Sequence, residues 1–536
     1  MTTNIYPNRW TQILAMVVVS LFILGFFAPL VGAWTGAILS VWFVGTQRPM
    51  RGLFWLVAFN FFPGLVSNWH KFPLTGPRHV PEYVLWMLLL TLISVLPFLF
   101  HRLVSPRLPG FLSTFPLPLS AVVLQSLAGV WFPASIFSAY STGSSQKANS
   151  PLLHIAAAFG VGAIVFLIYW FASTVIWMWN QEFRVSKIAV GATVFTVAYA
   201  LAAAFGLFRQ FTGAVLPEVL PTGQVLAWVS LAGATVLGIW ALFHPTKLRQ
   251  WINRPEITIL QSPNTGSPLR LSNKTGEESF ISLSGERFPI RSGIPIFLQI
   301  QELTGPNRKY NHLYETIGGF YDDTQRVACA LSGVDQDAHF LSYLPLLEIK
   351  PGDSVLETSV GTGLNFKYLP REIRLFGLDL SSEMLATCEI NLRRWALDAD
   401  LFLGNAESLP FADSSFDVVF HVGGINFFND RAKAIREMIR VAKPGSLILI
   451  ADETEEYVKD TYENMPIASG YFKGRTVAVV APIDLVPPQM HEIRIQGLPD
   501  DRFYVITFRK PAEVFSGTQG MQQPLQKQSH NSLAAM

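Results

Sequence analysis

The chain has 536 residues, of which 50% are hydrophobic and only 15% are charged. It is too long for one domain and too apolar for an ordinary soluble enzyme. Up to Arg254 it has 14 Lys and Arg against three acidic residues, a net charge of +11, whereas the remaining 26 basic and 35 acidic residues give −9. Neither part has the basic stripe that nucleic-acid binding requires, so we expect no nucleic-acid partner.

Eight hydrophobic segments of bilayer-spanning length follow one another in a predicted membrane domain, residues 1–250. They lie at about 11–27, 29–45, 52–69, 82–100, 117–138, 153–178, 188–208 and 224–243. The first is too long for a signal peptide and lacks a convincing cleavage site, so we expect it to remain in the protein. The sequence thus predicts a polytopic α-helical membrane domain.

The distribution of Lys and Arg between the segments predicts their orientation. With the N-terminus in the cytoplasm, ten of these residues lie on the cytoplasmic side and four on the other. An even number of spans then places both termini in the cytoplasm, at the inner or plasma membrane if the protein is bacterial. No acidic residue lies in the middle of a span, which disfavours a transporter.

Two stretches of the membrane domain, LGFFAPLVGAWTGAILSVWFV and SAYSTGSSQKANSPLLHIAAAFGVGAIVFLIYW, resemble the membrane region of bacterial apolipoprotein N-acyltransferases. Members of that family bind phospholipid and acylate lipoproteins. The resemblance covers about 1–245, and the chain has no counterpart of the nitrilase-like domain that catalyses acyl transfer. The resemblance therefore implies an ability to admit membrane lipid, without acyl transfer.

A small β module is predicted at 255–300. Its segments ITILQSPNTGSPLRL and FISLSGERFPIRSGIPIFL resemble the zinc-ribbon domain of the tRNA-methyltransferase activator family. Ser262, Thr265 and Ser284 stand where that family has zinc ligands, and hydroxyl groups cannot replace thiolates. Only Cys329 and Cys388 occur in the chain, far apart in sequence, so we expect no disulfide framework and no metal.

Strands and helices alternate from Pro351 onwards, which predicts a parallel sheet with ligands at the carboxyl ends of its strands. The stretch VLETSVGTGLN forms the first strand end, and a helix is predicted over the following GTGLNFKYLP. No Gly-Lys-Ser/Thr follows, which excludes a phosphate loop. Glu357 precedes the turn and would repel a pyrophosphate but attract an ammonium group. The pattern therefore favours S-adenosylmethionine as the cofactor.

The motifs that follow extend this pattern. They are G-x-D ending at Asp379, N-A-E-x-L-P-F, S-F-D-V-V and R-V-A-K-P-G. In this order they resemble class I S-adenosylmethionine-dependent methyltransferases, especially the ubiquinone/menaquinone C-methyltransferase group, over about 305–511. The resemblance implies an α/β Rossmann-like domain with a mostly parallel seven-stranded sheet. A disordered tail is predicted at 512–536.

The resemblance also implies roles for single residues. Glu357 would hold the methionine amine, the Ser359, Gly361 and Gly363 backbone would pass close to the cofactor, and Asp379 would accept from the ribose hydroxyls. The Asn405 amide oxygen and the Ala406 N–H would contact the adenine, and Phe411 would pack near it. Two alternatives stay open for Tyr314 and Tyr321: they close over the cofactor, or they serve in aromatic packing.

Methyl transfer requires alignment of donor and acceptor, together with a base if the acceptor must lose a proton. His421 follows the fourth strand of the sheet and is the candidate base.

The leading hypothesis is a membrane-anchored methyltransferase that acts at the cytoplasmic face on a lipophilic acceptor: a quinone precursor, a phospholipid or another membrane lipid. The alternative is a lipid-binding membrane scaffold whose cofactor-binding domain is regulatory and has lost turnover. The sequence does not identify protein partners.

Overall fold

A computed structural model describes most of the chain, namely residues 29–46, 49–68, 79–131, 155, 161–183, 185–212, 222–243, 255–273, 278–298, 303–332, 334–464, 469–473, 475, 478–498 and 502–512. The chain forms two compact units, Met1–Lys247 and Leu248–Met536. The predicted span at 11–27 and the predicted tail beyond residue 512 lie outside the described residues.

The first unit consists of apolar helices. Those described are α1 (Pro29–Thr46), α2 (Pro49–Asn68), α3 (His79–Val104), α4 (Pro116–Trp131), α5 (Val161–Asn180), α6 (Val185–Thr212) and α7 (Thr222–Phe243). Each overlaps one of the hydrophobic segments predicted after the first. Within the described residues, five helical stretches are long and apolar enough to cross a membrane: Val80–Arg107, Gly110–Ala128, Val161–Asn180, Val185–Phe208 and Val225–Phe243.

Burial is uneven among these helices. The most apolar window of Val161–Asn180 is 56% buried, whereas the windows of Val185–Phe208 and Val225–Phe243 are each only 11% buried. Large apolar side chains such as Val190, Leu201 and Trp228 are therefore exposed on α6 and α7. Contiguous apolar surface of this kind is rare on soluble monomers and marks contact with lipid or with another protein.

The second unit begins with a four-stranded antiparallel sheet in the order β1-β2-β3-β4. Its strands are β1 (Leu269–Ser272), β2 (Ser279–Ser282), β3 (Arg287–Arg291) and β4 (Ile294–Pro295). After β4, the Phe297 N–H donates to the Leu403 carbonyl at 2.8 Å. Phe280 and Phe288 belong to the same hydrophobic core as Phe411. The module is thus packed onto the domain that follows it.

The three hydroxyl residues at the presumed zinc-ligand positions of the module meet at one carboxylate. Glu286 accepts hydrogen bonds from Ser262 Oγ at 2.6 Å, Thr265 Oγ1 at 3.1 Å and Ser284 Oγ at 3.3 Å. The Asn264 amide donates at 2.9 Å. The hydrogen bonds from Ser262 and Asn264 are the main cause that lowers the pKa of Glu286 to about 2. A carboxylate therefore joins the loops of this module.

Glu286→Gln removes the charge from these hydrogen bonds, so we expect faster amide hydrogen exchange in β1 to β3 than in the wild type. Glu278→Gln is the matched control, because the Glu278 side chain makes none of these bonds. The folded-state pKa of about 2 lies below the ordinary 4.5, so the stabilisation is present above pH 4.5 and lost as the pH falls through about 2. Equal exchange in Glu286→Gln and wild type at pH 7 would contradict this role.

The rest of the unit alternates helices and strands. The helices are α8 (Gly305–Ile317), α9 (Tyr321–Ser332), α10 (Gln336–Tyr343), α11 (Ser382–Trp395), α12 (Arg431–Val441), α13 (Glu455–Tyr457) and α14 (Ser469–Phe472). The strands are β5 (Ser354–Glu357), β6 (Arg374–Asp379), β7 (Ala399–Leu403), β8 (Phe416–Val422), β9 (Ala442–Glu453), β10 (His491–Gly497) and β11 (Phe503–Arg509).

These seven strands form one mixed sheet in the order β10-β11-β9-β8-β5-β6-β7. The five strands from β9 to β7 are parallel, and β11 pairs antiparallel with both β9 and β10. The central strands are continuous apolar runs because both faces of the sheet are covered. The predicted Rossmann-like fold with a mostly parallel sheet is confirmed.

The helix predicted over GTGLNFKYLP is wrong. The structure has only a short 3₁₀ helix there, Asn365–Tyr368. Leu369 is extended, with ψ of 157°, because the residue before a proline, here Pro370, is disfavoured in the helical region. After this short helix the chain continues in an extended conformation and leads directly into β6.

Candidate functional site

A cavity of about 230 Å³ opens at the carboxyl ends of β5, β6, β8 and β9. One end of its wall contains Glu357, Gly361 and Asp379, and the other contains Glu453 and a group of aromatic side chains. β5 lies beside β6 on one side and β8 on the other. This is where parallel α/β sheets bind their ligands.

The glycine loop after β5 is tied to both neighbouring strands. The Thr358 N–H donates to the Phe420 carbonyl at 3.0 Å, and the Val360 N–H donates to the Leu378 carbonyl at 3.0 Å. Gly363 has a φ of +78°, and a Cβ there would lie 2.7 Å from Cys388 Sγ. Only glycine fits this position without strain. The loop backbone is therefore fixed before any ligand binds.

Asp379 connects this loop to the end of β6. One carboxylate oxygen accepts from the Gly361 N–H at 2.8 Å and the other accepts from the Ser381 N–H at 2.8 Å. Burial raises the pKa of Asp379 to about 6, although these hydrogen bonds oppose the shift. Each oxygen has a second lone pair. Asp379 can therefore hold the loop and also accept hydrogen bonds from a ligand.

The buried carboxylate of Glu357 has one oxygen bound by the protein and one left open. Its side chain is 0% exposed, and its Oε1 accepts from Asn365 Nδ2 at 2.5 Å. Asn365 is itself oriented by the Tyr343 hydroxyl at 2.6 Å. Glu357 Oε2 has no hydrogen-bond partner among the described residues. Burial raises the pKa of Glu357 well above its ordinary value. A buried carboxylate with an open oxygen is suited to a cationic ligand group.

The structure divides the predicted cofactor residues into two groups. Glu357, Ser359, Gly361 and Asp379 line the cavity together, as do Tyr314 and Tyr321. Gly363 instead packs against Cys388, behind the wall.

Asn405 and Ala406 are not among the residues that line the cavity. The Asn405 amide oxygen accepts from the Glu407 N–H at 2.9 Å, because this short side chain closes a local turn. Glu407 in turn accepts from Asn307 Nδ2 at 2.8 Å and from the Asn429 N–H at 2.9 Å. The loop that contains these residues is therefore held by internal bonds. Phe411 packs in the core between Phe402 and Phe416 and is not among the residues that line the cavity.

His421 lies behind the cavity wall, which corrects its predicted contact with the acceptor. Its ring is 0% exposed, and Nδ1 is 3.1 Å from Thr358 Oγ1. Burial lowers the pKa of His421 to about 3. His421 is still within β8, one residue before its last, and its ring packs edge-on against Phe428 at 5.3 Å.

The sequence analysis missed three residues of the site. Asn365 orients Glu357. It follows the glycine loop directly in the sequence, and this position could have identified it as a site residue. Glu453 and Tyr462 lie at the opposite end of the cavity. Glu453 is the last residue of β9, and Tyr462 lies in the acidic stretch that follows it. This stretch has no motif, so only the sheet order identifies the two residues.

Comparison with known proteins agrees with this geometry. Residues 356–450 match the family described as methyltransferase domain. A demethylmenaquinone methyltransferase of Thermotoga maritima is 33% identical over 174 residues, which is 30% of this chain and 73% of that protein. The chain belongs to the S-adenosylmethionine-dependent methyltransferases.

Other similarities cover a smaller share of the relative or are more distant. A demethylmenaquinone methyltransferase of Renibacterium salmoninarum is 39% identical over 103 residues, so the chain spans only 42% of that protein. A solved Thermotoga maritima methyltransferase, described as a possible histamine N-methyltransferase, is 22% identical, with a TM-score of 0.28, over 37% of this chain and 98% of that one. The cofactor of the methyltransferase is S-adenosylmethionine.

Glu357→Gln keeps the shape of the side chain and removes its charge. We expect this substitution in the full chain to lower the affinity for S-adenosylmethionine by 10-fold or more, roughly the value of one charge-assisted hydrogen bond. Isothermal titration in detergent is the measurement. Glu372→Gln is the matched control, since Glu372 is exposed and outside the cavity wall. Equal affinities of Glu357→Gln and wild type would exclude Glu357 as a ligand.

Proposed function

We propose that the protein is a membrane-anchored methyltransferase that transfers the methyl group of S-adenosylmethionine to a lipophilic acceptor at the cytoplasmic face. The open carboxylate oxygen of Glu357, in a cavity that also contains Asp379, carries the cofactor part of this proposal. The apolar helices of the first unit carry the membrane part.

Different residues of the cavity would bind different parts of the cofactor. Glu357 would accept from the ammonium group, and Asp379 would accept from the ribose hydroxyls. The Ser359–Gly361 backbone would lie against the cofactor, because it forms the wall between these two carboxylates. Asn405 and Ala406 are left out of the proposed ligand set. The cofactor supplies an electrophilic methyl group, and the protein aligns an acceptor with it.

Two observations support a lipophilic acceptor. The exposed apolar faces of α6 and α7 suit a lipid environment. The two related methyltransferases described above are named for demethylmenaquinone, a lipid-soluble acceptor. A quinone precursor is therefore the first acceptor to test, ahead of a phospholipid.

The cytoplasmic orientation rests on ten against four Lys and Arg between the predicted spans. We expect alkaline phosphatase fused after residue 512 to be inactive in bacterial cells, and a fluorescent protein at the same site to be fluorescent. A phosphatase fusion at residue 75, in a loop predicted to face outward, is the control and should be active. The opposite pattern of activities would reverse the proposed orientation.

The acceptor is identified by transfer of a tritiated methyl group. We expect the purified full chain to label the organic phase of a bacterial membrane lipid extract reduced with dithionite, and Glu357→Gln to lose this labelling at limiting cofactor. Glu372→Gln should label as the wild type does. Labelling confined to water-soluble acceptors would refute the lipid assignment. Cofactor binding without any transfer would favour the scaffold hypothesis.

A further inference from the structure

The second carboxylate of the cavity, Glu453, has a specific set of contacts. Its side chain is 7% exposed, and its Oε1 accepts from the Tyr462 hydroxyl at 2.9 Å. Glu453 Oε2 has no hydrogen-bond partner among the described residues. The residue lines the cavity at the carboxyl end of β9. One oxygen is thus fixed by the protein, and the other is available to a ligand.

The tyrosines around Glu453 cannot act as bases near neutral pH. Burial, together with the Glu453 carboxylate, raises the pKa of six tyrosines: Tyr310, Tyr314, Tyr321, Tyr457, Tyr462 and Tyr504. They therefore stay protonated. Arg502 lies over the Tyr457 ring at 5.3 Å and is the one Arg or Lys on the described wall.

The neighbouring carboxylate, Asp452, is already occupied. Its Oδ1 accepts from the Gly424 N–H at 3.0 Å and the Glu453 N–H at 2.9 Å, and its Oδ2 accepts from the Asn426 N–H at 2.8 Å. Asp452 fixes the ends of β8 and β9 and is not among the lining residues. Of these two acids, only Glu453 reaches the cavity.

The sheet order sets the distance between the two ends of the cavity. One strand, β8, separates β5 from β9, so these two strands are about 10 Å apart at the usual strand spacing. Glu357 is level with Phe420 of β8 and Leu449 of β9, and Glu453 lies beyond Leu449, about 13 Å further along β9. Glu357 would hold the amino group of the cofactor. The space between the two carboxylates can accommodate the transferred methyl group and the acceptor atom.

We propose that Glu453 is the catalytic base of the methyl transfer and that Tyr462 positions its carboxylate; this inference rests on the proposed function. The acceptor atom forms a bond to the methyl carbon while the methyl–sulfur bond breaks. The electron pair of the broken bond remains on sulfur. The proton that the acceptor loses passes to Glu453 Oε2. The acceptor is thus one that bears an ionisable O–H, N–H or activated C–H at its methylation site.

The test compares three full-length proteins: the wild type, Glu453→Gln, and Glu456→Gln as a matched control, because Glu456 is an exposed glutamate in α13, the helix that follows β9. Turnover is measured on the lipid fraction that the wild type labels, and S-adenosylmethionine binding is measured by isothermal titration. We expect Glu453→Gln to bind the cofactor with wild-type affinity and to lose about 100-fold or more in turnover. Glu456→Gln should match the wild type in both measurements.

A second variant separates a base from a structural residue. Tyr462→Phe keeps the carboxylate and should lose less turnover than Glu453→Gln. Wild-type turnover in Glu453→Gln, or loss of its cofactor binding, would overturn the inference. If the wild type binds cofactor but labels no lipid, the proposed function fails and this inference fails with it.

Discussion

Carboxylates that are buried with an oxygen left open are the constraint on which the methyltransferase site depends. Moving an ionised carboxylate out of water is costly unless a partner compensates. At Glu357 the fold provides one hydrogen bond, from Asn365, and leaves the second oxygen without a partner among the described residues. A ligand ammonium group would restore the missing interaction. The fold thus holds this acid in a state that cofactor binding makes more favourable.

Asp379 is also a carboxylate, but it has a different role. It accepts backbone N–H groups from Gly361 and Ser381, so it holds the glycine loop against β6 before the cofactor binds. Ligand contacts by Asp379 therefore require little rearrangement. Such preorganisation lowers the entropy lost on binding. Glu357 thus contributes a charge for a cationic ligand group, whereas Asp379 fixes the conformation of the glycine loop.

Much of the soluble fold follows from the sequence because its signals are local. Apolar runs mark the strands, and Glu357 and Asp379 end two of them. Other features required the three-dimensional arrangement. A short side chain at Asn405 bonds within its own turn, whatever a motif implies for that position. Serine and threonine at the presumed zinc-ligand positions do not reveal that Glu286 collects their hydroxyl groups. Glu453 lies among other acids, a pattern typical of a solvated surface.

Strand register explains why one acid of an adjacent pair faces the cavity and the other does not. Successive side chains of a strand point to opposite faces. In the antiparallel pairing of β9 with β11, Glu453 lies opposite Phe503 and Asp452 lies opposite Tyr504. Glu453 and Phe503 both line the cavity. A shift of one residue would exchange the two acids and bring Asp452 to the wall. The position of the open carboxylate is therefore a property of the sheet pairing, which no motif around residue 453 encodes.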